Sequence, residues 1–436
     1  SKNTHIIPVG DYMSILKKGD NGPKVELLQS ILKKLEIFKG NVDGNFGIET
    51  EKAVVKFQKM FKLKENGIVG ENTLKKLYPY INGYKYYIIE SGDTVYNIAK
   101  KFNTNVNYII VANPNTNMYN LKIGDTVVVP FGTVVQTDIK YTYEILNMDI
   151  LALKKIYPFL KYGNVGKSVL NRNIPYIKIG KGKRKVLYNA AIHANEWITS
   201  VLLMKFIENF CKAYVMDRYI FGYRAQNLFE DCSLYIIPMM NPDGVDIVTE
   251  NLDKNTDIYK SIKFIVNQYP EIPFPRGWKA NIKGVDLNLQ FPANWKQAQE
   301  IKYSEGFVTP APRDYVGIAP LTQPESVALY NFTNVNDFKL TISYHTQGSV
   351  IYWRYLNYMP ENSLKIAKEF SRVSGYELEE TPFRSSFAGY RDWFIQTFNK
   401  PGYTVEAGKG ESPLPISQFD TIYADNEGIL VLGMIL

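Results

Sequence analysis

Val186-Leu187-Tyr188-Asn189-Ala190-Ala191-Ile192 runs straight into His193-Ala194-Asn195-Glu196. An apolar run of that length reads as a buried strand. At its end, a His and a Glu three apart can turn an imidazole and a carboxylate onto one metal ion. The chain contains 3 His in 436 residues: His5, His193 and His345. A tetrahedral catalytic zinc takes three protein ligands and leaves its fourth position to water. With His5 set aside as part of the chain's end, His193, Glu196 and His345 are the only His-containing set.

The sequence around this stretch alternates in the same way. Strands are expected over 185–192, 234–239, 340–344 and 403–406, and helices over 199–214, 324–334 and 364–374. Such alternation predicts an α/β domain with a mixed central sheet. Sites in these sheets lie beyond the strand ends. His193, Asn241, His345 and Glu406 all fall at such ends. The apolar tail, 428–436, is expected to close a terminal helix.

The chain is too long for one ordinary domain. A hydrophobic content of 45% with 14% aromatics excludes a disordered chain. No apolar stretch reaches the roughly 18 residues needed to span a bilayer. The net charge of +8 suits an acidic partner: nucleic acid, an anionic membrane or an anionic wall polymer. The charges are dispersed, and the one dense run, Lys181-Gly182-Lys183-Arg184-Lys185, reads as a solvated loop. Two cysteines, Cys211 and Cys232, allow one bridge or two free thiols. The chain opens Ser1-Lys2-Asn3 without an initiator Met or an apolar signal core, so a removed leader and no leader both remain open.

The first part of the chain repeats itself. Asp43-Gly44-Asn45-Phe46-Gly47 leads to Thr50, and Asn66-Gly67-Ile68-Val69-Gly70 leads to Thr73 in the same spacing. Each block pairs a Gly turn with a Thr expected to start a helix. Val25, Leu28, Leu32 and Leu35 fit one helical face; Ala53, Phe57, Met60 and Phe61 fit another. The segment 13–81, with its Asp-Gly-x-Phe-Gly-x-x-Thr turn followed by Ala53 and Phe57-Gln58, resembles the helical peptidoglycan-binding domain appended to wall hydrolases.

From Tyr84 to Phe131 the pattern changes. Strand-like Tyr86-Tyr87-Ile88-Ile89 precedes Ser91-Gly92-Asp93-Thr94, a turn and helix-cap signal. A short helical stripe follows at Ile98, Ala99 and Phe102, then a break at Asn113-Pro114-Asn115. Val127-Val128-Val129-Pro130 returns as a strand. This β-α-α-β order over 84–131 resembles a LysM domain, a module that grips N-acetylglucosamine-containing glycans. The resemblance implies glycan contacts at Gly92, Asp93, Thr94, Asn113 and Asn115.

The remainder, 132–436, resembles a zinc carboxypeptidase of the carboxypeptidase A type. Five motifs carry the resemblance, in order: His193-x-x-Glu196; Asn241-Pro242-Asp243-Gly244; Trp278-Lys279-x-Asn281 leading to Gly284-Val285-Asp286-Leu287-Asn288; His345 after its strand; and Thr404-Val405-Glu406-x-Gly408. The resemblance implies one zinc on His193, Glu196 and His345, which would lower the pKa of bound water toward about 7. It implies Glu406 as the proton acceptor and donor, and Asp286 as the group orienting His193. The family places an Arg after the Trp to meet the oxyanion. Lys279 stands there, with charge but without the forked donors of Arg.

One departure redirects the substrate. The family's Asn-Arg-Asn segment, whose Asn-Arg pair holds a terminal carboxylate, reads Asn288-Leu289-Gln290. Leucine cannot bind a carboxylate. The stretch Gly284 to Trp295 instead resembles the bacterial γ-D-glutamyl-diamino-acid endopeptidases, which cut peptidoglycan stem peptides between D-Glu and meso-diaminopimelate. That substrate is rich in carboxylates, so cations are expected elsewhere. The resemblance puts Arg391, within Phe387-Ala388-Gly389-Tyr390-Arg391-Asp392-Trp393, at the specificity position. Arg384 is a further candidate for pairing with substrate, and Asn288 and Tyr390 for contacting it. The expected partners are peptidoglycan glycan strands and stem peptides, not nucleic acid, at the bacterial cell wall or outside the cell. A spore cortex and cytoplasmic recycling of fragments remain open. Two other readings stay in play: a conventional metallocarboxypeptidase with a changed carboxylate anchor, and an inactive wall-binding protein.

Overall fold

Two glutamines build the helical repeat. In the computed structural model, which describes residues 13–436, α1 (Pro23–Lys34), α2 (Ile48–Met60) and α3 (Glu71–Asn82) form the first module. Gln29 on α1 accepts from the backbone N–H groups of Asp43 and Gly44, and its amide donates to Asp43, to the Asn45 carbonyl and to Thr50. Gln58 on α2 repeats the pattern with Gly67, Asn66, the Ile68 carbonyl and Thr73. Both glutamines are buried, so each spends its amide on its turn and not on water. The helices start at Ile48 and Glu71, so Thr50 and Thr73 do not start them but serve as acceptors inside the first turn. Val25, Leu28, Leu32, Ala53 and Phe57 are buried as expected, whereas Met60 is 60% exposed. His5 lies outside the described residues.

The second module has the expected order: β1 (Tyr84–Ile88), α4 (Val95–Lys101), α5 (Val106–Ala112) and β2 (Thr126–Pro130), with β1 and β2 antiparallel. Its small core gathers Ile89, Ile98, Ile109, Val127 and Val129. Two compact units divide the chain after Phe159. Residues 132–159 belong to the first of these units. Ser30 donates to Asp138 at 2.7 Å, and α6 (Tyr143–Ile156) contacts α3, α5 and β2.

The second unit is built on eight strands. These are β3 (Lys161–Lys167), β4 (Asn173–Ile179), β5 (Arg184–Ala190), β8 (Cys232–Ile237), β9 (Phe338–Thr346), β10 (Val350–Tyr352), β11 (Glu377–Leu378) and β12 (Gly402–Ala407); a small ribbon, β6 (Tyr219–Ile220) with β7 (Tyr223–Arg224), stands apart. The sheet order is β11-β10-β12-β9-β5-β8-β4-β3. Its centre, β12-β9-β5-β8, is parallel, and antiparallel pairings flank it. Central strands are buried on both faces, which explains their continuous apolar runs. Leu187 joins Tyr235, Phe338 and Trp393 on one face. On the other, the Tyr188 hydroxyl donates to the Leu430 carbonyl of the helix Phe419–Leu432 at 2.6 Å. Cys211 and Cys232 are buried free thiols, with burial raising both pKa values.

Candidate metal centre and cleft

Three adjacent parallel strands end together, and each end presents one reactive group. In register, Ala190 of β5 lies beside Tyr344 of β9, and His345 of β9 beside Glu406 of β12. His193 follows β5 by three residues and leads into a single turn, Ala194–Glu196, that swings Glu196 back toward it. One ligand atom each from His193, Glu196 and His345 all lie within 4.8 Å of one another. Among the described residues this is the one cluster of His, Cys, Asp and Glu that could hold a metal.

The donor chemistry fits a zinc ion. His193 Nε2–H donates to Asp286 at 2.9 Å, which leaves the Nδ1 lone pair, 3.2 Å from Glu196, for a cation. His345 Nδ1 lies 3.0 Å from the other Glu196 oxygen, which also accepts from Thr346 N–H at 3.1 Å. Burial alone would lower the His193 pKa, but the Asp286 and Glu196 carboxylates outweigh it and raise it to about 10. The Glu196 carboxyl is held well below its ordinary value despite its burial, by His193 and Lys279. The chain provides one His-Glu-His metal site, consistent with one catalytic zinc.

Around this set lies a cleft of about 230 Å³ lined by Lys279, Asp286, Asn288, Arg391 and Glu406, among others. Glu406 has no hydrogen-bond or ion-pair partner among the described residues. Burial raises its pKa; His345 pulls it down and Glu196 pushes it up. Lys279 Nζ stands 3.4 Å from Glu196. Asp286 accepts from Asn288 N–H as well as from His193, so the same carboxylate fixes the imidazole and the loop after it. Asn288 Oδ1 accepts from Tyr390 N–H at 3.0 Å, and its amide nitrogen has no hydrogen-bond partner among the described residues.

The Asn241 motif is structural. Asn241 is fully buried, accepts from Gly244 N–H, and donates to the carbonyls of Ile192 and Ala280. It clips the strand end before His193 to the loop carrying Lys279. A Cβ on Gly244 would stand 2.6 Å from the Ala280 carbonyl, so only glycine fits. Asn281 extends the clip to the buried Glu325, donating at 3.2 Å. Burial raises the Glu325 carboxyl pKa from 4.5 to about 7. Well below pH 4.5 the side chain is protonated, folded or unfolded. As pH climbs toward about 7 the unfolded chain ionises first, so folding stability falls by about 3 kcal/mol. Glu325→Gln should remove that part of the pH dependence in urea unfolding between pH 4.5 and 7.5; an unchanged slope would refute the assignment.

Arg391 is buried beside the cleft. Its guanidinium donates to Asp392 at 3.0 Å and to Thr381 at 2.9 Å and stacks over Tyr352, while its Nε has no partner. The two other expected contacts, Tyr390 and Arg384, are placed differently. Tyr390 is 1% exposed, and its hydroxyl is engaged with Thr333 at 2.9 Å inside the core. Arg384, 80% exposed in its side chain, faces Glu305 at 3.7 Å and does not line the cleft. Conversely, Lys302, Arg313 and Asp314 line it without having been expected. Asp314 pairs with both cations at 2.8 Å and its N–H donates to Asp286. Lys302 lies on the helix Trp295–Ser304, whereas Arg313 and Asp314 lie in an irregular stretch whose Pro310-Ala311-Pro312 gives no periodic signal.

In the second module, Asn113 spends its whole amide on the backbone, bonding both polar groups of Val128 and the Ile109 carbonyl, and so braces the module. Asp93 accepts from Tyr87 and from Glu90 N–H, and Thr94 caps α4. Gly92 and Asn115 are exposed.

Residues 147–427 match the zinc carboxypeptidase family, residues 21–77 a peptidoglycan binding domain and residues 87–130 the LysM domain. The chain is 45% identical over 298 residues to gamma-D-glutamyl-L-diamino acid endopeptidase 1 of Lysinibacillus sphaericus, covering 68% of this chain and 72% of the relative. It is 39% identical over 292 residues to the uncharacterised YqgT protein of Bacillus subtilis, covering 66% and 76%. The carboxypeptidase A of Helicoverpa armigera shares the fold with a TM-score of 0.51 at 18% identity, covering 88% of this chain and 94% of that structure. The two N-terminal modules mark interaction with peptidoglycan and association with the cell wall. Among the described residues, no helix is long and apolar enough to cross a membrane.

Proposed function

We propose that this chain, which belongs to the zinc carboxypeptidase family, hydrolyses the amide between γ-D-glutamate and meso-diaminopimelate in peptidoglycan stem peptides. One observation carries the choice of substrate. Leu289, 7% exposed, borders the cleft where the family's exopeptidases place the arginine that grips a C-terminal carboxylate. The 45% identity to an endopeptidase named for that bond points the same way.

A zinc ion on His193, Glu196 and His345 supplies Lewis acidity toward the scissile carbonyl and makes water a stronger acid. Glu406 takes the proton of the attacking water on its carboxylate. The hydroxyl bonds to the carbonyl carbon, the C–N bond breaks, and Glu406 returns its proton to the departing nitrogen. Burial, by raising the Glu406 pKa, makes that carboxylate a stronger base. Lys279 meets the negative charge that grows on the carbonyl oxygen, as a point charge and not as a fork. Asp286 holds His193 in its tautomer.

Arg391 and Asn288 both line the cleft, where the guanidinium would pair with a stem-peptide carboxylate and the Asn288 amide would donate to substrate. Arg391→Ala is expected to lower kcat/KM on a γ-D-Glu–diaminopimelate peptide about tenfold or more, the scale of one lost charge-assisted hydrogen bond. An unchanged kcat/KM in a variant that keeps its melting temperature removes this role. Two wall-binding modules serve an insoluble polymer better than soluble recycled fragments, which favours action at the wall or outside the cell. Zinc analysis with mass spectrometry of digested muropeptides tests the whole reading. Cleavage only between D-Glu and diaminopimelate upholds it. Release of single C-terminal residues points to an ordinary carboxypeptidase, and no zinc with no cleavage to an inactive wall binder.

A further inference from the structure

The two N-terminal modules are joined by one residue. α3 ends at Asn82, Gly83 turns the chain with φ 75°, and β1 begins at Tyr84. The Gly83 carbonyl accepts from Phe131 N–H at 2.9 Å and from Gly132 N–H at 3.0 Å. A Cβ on Gly83 would stand 2.9 Å from the Gly132 carbonyl oxygen, at a backbone angle that side chains resist. The joint is therefore fixed by backbone hydrogen bonds, and the space beside it is formed in advance.

That space is a cleft of about 1010 Å³, several times larger than the cleft at the metal centre. Its wall combines two chemistries. Aromatic rings come from both modules: Tyr80 and Phe131 meet edge to face at 5.9 Å, and Tyr84 and Tyr86 at 5.8 Å. The charge is one-sided. Glu71, the sole acidic residue of the lining, faces Lys75 at 3.4 Å. Lys76, Lys85 and Lys101 have no carboxylate partner among the described residues. Lys85 and Lys101 instead stand over the Phe102 ring at 4.8 and 5.7 Å. Partial burial and the nearby Lys101 and Lys76 lower the Lys85 pKa, so an anion entering here would relieve repulsion already present.

We infer that this seam is a third wall-binding site, which takes a carboxylate-bearing glycan fragment with sugar rings on Tyr80 and Tyr86 and carboxylates on Lys85 and Lys101. A neutral glycan would account for the rings but not for the unpaired lysines. A phosphate polymer would account for the lysines but not for the rings. Clefts of this size between modules are usual places for ligands, and the site lies apart from the Gly92 to Thr94 turn. The choice of a wall glycan rests on the function proposed above; the cleft and its charge do not.

The test uses the full chain and a soluble disaccharide carrying the dipeptide L-Ala-D-Glu, which has free carboxylates and no diaminopimelate bond. Titration calorimetry should show its Kd weakened about tenfold or more by Lys85→Glu with Lys101→Glu, and likewise by Tyr86→Ala, the scale of losing a charge-assisted or stacking contact. Binding of a neutral N-acetylglucosamine hexamer should change less than twofold in the lysine variant. Melting temperatures verify that each variant folds, and Lys85→Ser with Lys101→Ser is the gentler replacement if charge reversal disturbs the module. A Kd within twofold of the parent overturns the site, as does equal loss of the neutral and the carboxylated ligand. A lysine effect confined to a glycerol-phosphate polymer overturns it too. Hydrolysis of soluble stem peptide is measured on the same variants. Its absence in the parent chain would sink the proposed activity while leaving the binding result to stand on its own.

Discussion

Glu406→Gln should lower stem-peptide hydrolysis by about 10³-fold or more, while the chain still binds one zinc. The fold-change is typical of losing a positioned general base and equals about 4 kcal/mol of barrier. The glutamine fills the same volume beside His345 on β12 but cannot take a proton from water. Two features make this variant a clean probe. Glu406 has no ion-pair partner among the described residues, so neutralising it leaves no counter-charge buried and unpaired. It also lies outside the ligand set His193, Glu196 and His345, so metal content should hold. Glu196→Gln would be a poor control, because Lys279 and both histidines face that carboxylate. The readout is turnover on a defined peptide, together with zinc by elemental analysis. More than a tenth of parental activity in a zinc-loaded Glu406→Gln chain would remove Glu406 from the proton-transfer role.

What could be read from the sequence divides along a physical line. His193, His345 and Glu406 were legible because each follows an apolar run. A buried parallel strand is apolar throughout, so its polar end stands out, and neighbouring strands bring such ends together. Groups whose role depends on a partner far along the chain were not legible. Gln29 and Gln58 look like ordinary helix polar residues until their turns are seen folding around them. Asn113 looks like a loop contact until Val128 is placed beside it. Arg313 and Asp314 reach the cleft from irregular chain with no period to mark it. The directions of Tyr390 and Arg384 were hidden for a related reason. Proximity in sequence to Arg391 does not fix direction, and the helix Tyr390–Phe398 turns Tyr390 into the core while Arg391 borders the cleft.

Removing residues 1–159 should leave hydrolysis of a soluble stem peptide within about twofold and weaken digestion of intact sacculi by about 10² or more, the usual scale of multivalent attachment. The cut is made after Phe159, where the two compact units divide. A cut at 131 would strip α3, α5 and β2 from α6, whose Leu146, Leu153 and Ile156 are buried, and would expose an apolar helix at the new terminus. The unit beginning at Leu160 carries the whole eight-stranded sheet, the metal ligands and Glu406, so its chemistry does not need the modules. An insoluble polymer is different. There each weak contact keeps the cleft near the next stem peptide, and the chain's net charge of +8 adds attraction to an acidic wall. The electrostatic share should fade with salt, because the Debye length shrinks to about 3 Å at 1 M. The two substrates therefore separate the contributions. Equal losses on both would mean that the first unit serves the active site and not targeting, and no loss on sacculi would mean that the catalytic unit finds the wall alone.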